Sequence, residues 1–293
     1  MTPTGSTLPR RMLGRQLRRL RETSGVSAET ARDAIGVGKQ TLWRMETGQP
    51  GRLNPLFIET LCRVYRASEE ETEALLGLVE ETKRTGWWHA YGDTSPTDFN
   101  LFLGLEEAAK RLVSYQTTLL PVLLQTEAYR RALTWVDFPS LPTEDVERRI
   151  ELFSHRKARL KGATNPLTME AIVDESVIRR TIGGPAVMTD QLEHLARAGE
   201  QQNISIRVVP LSADAYCGLR VGPFVMLEFP KHPTAHLTEP PVIYVQGYTG
   251  DLYLEKADEV RQYKQAYADL QRRSLDETRS RALIRKVAKE HAA

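Results

Sequence analysis

Between Val26 and Gly48 the chain reads VSAETARDAIGVGKQTLWRMETG, and this stretch limits the architectures open to it more than any other. Two runs with helical spacing are parted by Gly36-Val37-Gly38, a break too short for the helices to drift apart. Ala31, Ile35, Val37, Leu42 and Met45 are the apolar positions at which two short crossed helices have to meet. Ser27 suits an N-cap, Gly36 a tight turn, Gly38 the start of the second helix and Gly48 its stop. Two helices crossed over such a turn present the leading end of the second one outward, the geometry by which a helix enters the major groove of DNA.

The side chains at that end have matching chemistry. Lys39, Gln40 and Arg44 are candidates for base contacts, because Gln pairs bidentately with adenine and Arg or Lys with guanine. Thr41 and Trp43 are further DNA candidates. For Trp43 three roles stay open: a core anchor, packing on sugar and phosphate, or contact with a thymine methyl. Arg10, Arg15, Arg18 and Arg52 flank the motif and are candidates for phosphate contacts, which position a protein without specifying sequence. Residues 1–66 hold 12 Lys and Arg against 5 Asp and Glu, so within an overall charge of +2 the rest of the chain is net acidic by five. A basic head on an acidic body is an electrostatic footprint for a polyanion.

Periodicity predicts helices over 10–23, from Ser27 to near 35, over 39–47, from 54 or 55 through 65, and from the acidic cluster after Ser68 to about 84. Past Gly86 the texture changes. Helices are expected near 100–136, interrupted at Pro121, and over 143–161, 186–202, 256–273 and 276–289, with β-rich runs over 167–173, 204–209, 224–229 and 242–246. The reading is α+β: a disordered tail over 1–9, an all-α domain over 10–85 and a mixed α+β domain over 86–293.

Composition excludes several classes. No apolar run approaches the roughly 18 residues of a membrane span, and the first nine residues lack the apolar core of a signal peptide, so a cytoplasmic protein is expected. Cys62 and Cys217 have neither disulfide nor zinc spacing. His232 and His236 are four apart, yet Pro233 between them favours a surface loop over a metal-binding helix. No His, Ser or Lys constellation can be placed beside Asp174-Glu175, and Gly183-Gly184-Pro185 reads as a turn and helix start, lacking the Lys of a phosphate loop. Trp87 and Trp88 are candidates for anchoring the hinge or for a partner or effector site in the second domain. The expectation is a protein without cofactor or metal, and not an enzyme.

The first domain resembles the XRE family of helix-turn-helix regulators, typified by phage repressors and their Cro-like relatives, from its long first helix to the R-M-E-T-G that ends at Gly48. That resemblance implies a five-helix, lambda-repressor-like domain acting as a homodimer on double-stranded DNA, with Lys39, Gln40 and Arg44 at base-reading positions. Two departures stand out. Arg32 occupies a position usually small in the family, so Ala31 and Ala34 are expected to make the helix contact, and Ala28 replaces a frequent Gln. Further on, Gly86-Trp87-Trp88, Leu120 to Glu127 with Tyr129, Gly183 to Pro185 with Met188 and Gln191-Leu192, Gly222 to Phe224, Leu227 to Phe229 and Thr249 to Glu255 recur in one arrangement. They resemble the actinobacterial XRE regulators with a C-terminal domain of unknown function, including sporulation-linked and antitoxin-like members. This implies a transcriptional regulator, often encoded beside a small partner protein. The alternatives are an antitoxin-like module that sequesters that partner and autoregulates, and a small-molecule sensor.

Overall fold

Apolar residues three and four apart build the first part of the chain. In α1 (Thr7–Thr23) Leu13, Leu17 and Leu20 form one buried stripe. Helices α2 (Ala28–Ala34), α3 (Lys39–Glu46), α4 (Pro55–Val64) and α5 (Glu69–Glu81) close over it, and Ala31, Leu42, Met45, Ile58, Leu61, Leu75 and Val79 join the same core. Ser68 and Glu71 form a reciprocal capping box at the head of α5, where three consecutive glutamates favour the positive end of the dipole. The structure is a computed structural model and describes residues 7–49, 51, 53–83, 87, 99–162, 166–231 and 238–292.

The chain divides into two compact units. The first comprises Met1–Ala108 together with Lys231–Glu239, so α6 (Phe99–Ala108) and a short segment from far along the sequence belong with the five helices. Within it Trp87 donates its indole N–H to Glu107 at 3.3 Å.

The second unit is built on a six-stranded sheet in the order β3-β2-β1-β4-β5-β6. In chain order it runs β1 (Arg111–Gln116), α7 (Glu127–Asp137), α8 (Thr143–Ala158), β2 (Thr168–Asp174), α9 (Glu175–Arg179), α10 (Pro185–Ala198), β3 (Ile204–Val209), α11 (Gly218–Val221), β4 (Phe224–Glu228), β5 (Val242–Gln246), β6 (Asp251–Leu254), α12 (Ala257–Arg273) and α13 (Glu277–Ala292). Strands β1, β2 and β3 are parallel, joined by helical crossovers, with Tyr115 opposite Ile172 and Ile172 opposite Arg207. The other pairs are antiparallel: Tyr115 faces Phe224, Met226 faces Ile243, and Tyr244 faces Tyr253. Helix α12 seats Val260, Tyr267 and Leu270 on one face of the sheet, against Val113, Tyr115, Phe224 and Ile243. At the outer edge of β3 the Val208 N–H donates to Ser280 Oγ and its carbonyl accepts from Leu275 N, which covers groups an edge strand would otherwise expose.

The α+β class expected from sequence is the one observed. Strand β1, however, lies inside the stretch 100–136 expected to be helical. Leu112, Val113, Ser114 and Tyr115 are all buried, because β1 is central and covered on both faces, so it lacks the apolar–polar alternation that marks a strand. The β6 strand, only four residues long, was also not expected. Asp174 and Glu175 have structural work. Asp174 caps α9 through Ser176 N and accepts from the Tyr216 hydroxyl at 3.0 Å, while buried Glu175 accepts from Leu211 N and Arg179. Gly183 and Gly184 take positive φ ahead of Pro185, a turn followed by a helix start. His232 and His236 lie outside the described residues.

Candidate nucleic-acid interface

The local structure around α3 follows from how its neighbours end. Helix α1 stops with Val26 N–H on the Arg21 carbonyl and Gly25 N–H on the Glu22 carbonyl, the paired bonds of a Schellman motif. Helix α2, capped by Ser27 Oγ on Thr30 N, stops the same way through Val37 to Arg32 and Gly36 to Asp33, with Gly36 at φ +65°. Helix α3 repeats it through Gln49 to Arg44 and Gly48 to Met45. These stops leave two residues, Val37 and Gly38, to swing the chain into α3. Val37 then packs against the core behind the motif.

Ala31 is fully buried, in the core that α2 shares with α3. Ala34, expected to make the helix contact with it, is exposed, and half-buried Arg32 instead lies along Glu29 and Asp33. Against α3 the approach of α1 is closer still. A Cβ on Gly14 would come within 2.4 Å of the Met45 carbonyl oxygen and 2.8 Å of Gly48 N, and one on Gly48 within 2.7 Å of Arg11 Cα. Two glycines thus let the backbones of α1 and the end of α3 touch. Beside them Arg21 grips Glu46 with two bonds of 2.6 and 2.9 Å, on side chains only 15% and 9% exposed. The Glu46 hydrogen bond raises the Arg21 guanidinium above its ordinary pKa.

Held in this way, α3 buries Leu42 and Met45 and exposes Lys39, Gln40, Thr41, Trp43 and Arg44. With 100° per residue, Gln40 and Thr47 point directly away from the core, and Trp43 and Arg44 flank them on either side. Among the described residues Lys39, Gln40 and Arg44 have no side-chain hydrogen bond or ion pair, so their donors and acceptors are open to a ligand. A groove of about 630 Å³ runs along the Trp43 side of α3, between Lys39 and Thr47, and is bordered by Arg18, Arg21 and Arg32.

The residues read from sequence as phosphate contacts divide. Arg18 is exposed and, among the described residues, engaged only by Glu22, one turn along the same helix. Arg10 is buried and donates to the Gly51 carbonyl at 2.6 Å. Arg15 donates to both oxygens of Glu239 at 2.7 and 2.8 Å, and Arg11 approaches the same carboxylate at 3.6 Å. Glu239 is buried, so its charge is satisfied by α1. Arg52 and Trp88 lie outside the described residues. The Arg21–Glu46 clamp was not anticipated, although its signal was present. A carboxylate in the last turn of a helix opposes the dipole and calls for a cation. Nothing in the sequence marked Glu239.

Two family models match the chain. A helix-turn-helix domain matches residues 12–75, and a domain of unknown function, DUF5753, matches residues 99–286. Neither a curated protein nor a solved structure matches. The first match covers α1 to α5 and agrees with the geometry at α3. It supports a DNA-binding regulator rather than an enzyme. Among the described residues no helix is long and apolar enough to cross a membrane. Since the longer match spans well over half of its residues, the chain belongs to the DUF5753 family and carries a helix-turn-helix domain ahead of the domain that defines it.

Proposed function

We propose that this protein is a sequence-specific transcriptional regulator of the XRE type, acting in the cytoplasm, whose α3 lies in the major groove and reads bases through Lys39, Gln40 and Arg44. The observation that carries the reading is the open polar face of α3, mounted on a helix whose opposite face, Leu42 and Met45, is locked into the core. Gln40 matches the donor–acceptor pair of adenine, and Arg44 and Lys39 the two acceptors of guanine. Phosphate contacts fall to cations still presented to solvent, Arg18 foremost, while Arg10 and Arg15 hold the unit together.

One recognition helix covers too little of the duplex for tight binding, so the active form is a homodimer on two half-sites roughly 34–36 Å apart. The DUF5753 domain then supplies the regulatory input, by binding a partner or effector.

Selection of bound sequences from random duplex DNA tests this. The expected result is an enriched inverted repeat whose binding weakens steeply as salt rises, through counterion release. Arg44→Ala is expected to lose base preference at one position per half-site, at a cost of about 1–3 kcal/mol. Recovery of no enriched sequence by the full-length protein would reject the reading.

A further inference from the structure

Trp43 is the one large apolar side chain on the outward face of α3, and it is 54% exposed. Of the three roles open to it from sequence, the core anchor is therefore excluded, since the core side of this helix belongs to Leu42 and Met45. Among the described residues the indole makes no ring contact and no hydrogen bond, and more than half of it stays exposed. Its backbone is fixed all the same. The Thr47 hydroxyl donates to the Trp43 carbonyl at 2.7 Å, which ties up that hydroxyl one turn on. Arg21 and Glu46, which line the same groove, neutralise each other in a closed ion pair.

An exposed indole on a face otherwise made of Lys39, Gln40 and Arg44 is an apolar spot inside a polar reading surface. The major groove offers one apolar feature to such a spot, the 5-methyl group of thymine. Trp43 lies three residues beyond Gln40, a rise of about 4.5 Å along the helix, between one and two base-pair steps of about 3.4 Å. We infer that Trp43 is a specificity-determining residue that recognises the methyl group of a thymine next to the base pair read by Gln40. This rests on the proposed reading of DNA by α3.

The test takes the duplex selected by the full-length protein and replaces each thymine in turn with deoxyuridine, which removes the methyl group and keeps base pairing. Wild-type protein is expected to bind about fourfold more weakly at one thymine per half-site, the value of burying one methyl-sized group, and equally at the others. Trp43→Gln, which takes nothing from the core, is expected to bind the thymine and deoxyuridine duplexes with equal affinity while melting like the wild type. Equal affinity of the wild type for every deoxyuridine duplex would overturn the inference and leave DNA recognition intact, as contact with sugar and phosphate requires. Thymine preference retained in Trp43→Gln would overturn it as well. Failure to select any duplex would remove both readings together.

Discussion

Glu46 sits in the last turn of α3, where the helix dipole disfavours a carboxylate, and its bond to Arg21 offsets that cost. The pair joins α3 to α1 at the end opposite to Lys39, so on the proposed reading it sets the angle at which the exposed face of α3 meets DNA. Both side chains are largely withdrawn from water, and removing one partner strands the other's charge. Arg21→Ala should therefore cost about 3 kcal/mol in urea denaturation, the lower end of the range for a broken buried pair. Replacing both residues, Arg21→Met with Glu46→Leu, should recover most of that loss, because an apolar pair of similar volume avoids the desolvation of two ions. A single variant as stable as the wild type would show that water already satisfies Glu46. The Arg15–Glu239 pair follows the same logic over a much longer sequence separation, and that is why sequence alone assigned Arg15 to phosphate: its partner is 224 residues away.

At the scale of elements, three of the first four helices end on a glycine in the left-handed region, and the fourth ends on Arg66 at φ +57°. Its bonds are those of the same motif, Arg66 to Arg63 and Ala67 to Cys62, without the residue that suits it. A side chain there costs about 1–2 kcal/mol, so Arg66→Gly should raise the melting temperature. Gly14→Ala should act in the opposite sense, costing about 1–3 kcal/mol or more, because the added methyl meets the backbone of α3, which cannot swing away like a side chain. Thermal melts of the two variants with opposite signs would confirm both assignments, and a stabilised Gly14→Ala would contradict the tight crossing. These elements also mark where the sequence was legible. Helices α1 to α5 could be read because each has one buried stripe and a local stop, and the exposed face of α3 followed from the same periodicity. Gly14, inside a helical run, hinted at close packing through its propensity cost. Strand β1 could not be read, since Leu112 to Tyr115 are buried without alternation and only pairing with β2 and β4, more than 50 residues away in the chain, defines them.

For the whole molecule, two separately packed units imply two separable responses to solution conditions, and the second unit holds the group best placed to report them. Lys157 donates to the Gln125 carbonyl at 2.8 Å and to His194 Nε2 at 2.9 Å, which requires a neutral imidazole with Nε2 unprotonated. Burial, and then the adjacent Lys157, Arg197 and Lys161 charges, push His194 down to about 4. Burial and the Lys161 charge likewise push Lys157 down to about 8. In the unfolded chain His194 returns to its ordinary value near 6.5, so between pH 6.5 and 4 the unfolded state holds a proton that the folded state refuses. Stability must therefore fall as the pH is lowered through that window. The same sign applies to Lys157 between pH 8 and 10.5, where stability rises with pH. His194→Gln retains an acceptor for Lys157 but cannot take up a proton. Scanning calorimetry from pH 7 to 4 should show the wild-type transition of the second unit dropping more steeply than that of the variant, with the carboxylates common to both cancelling in the difference. Equal slopes would mean that His194 is solvated well enough to be protonated in the folded state, and the Lys157–His194 bond would then not persist in solution.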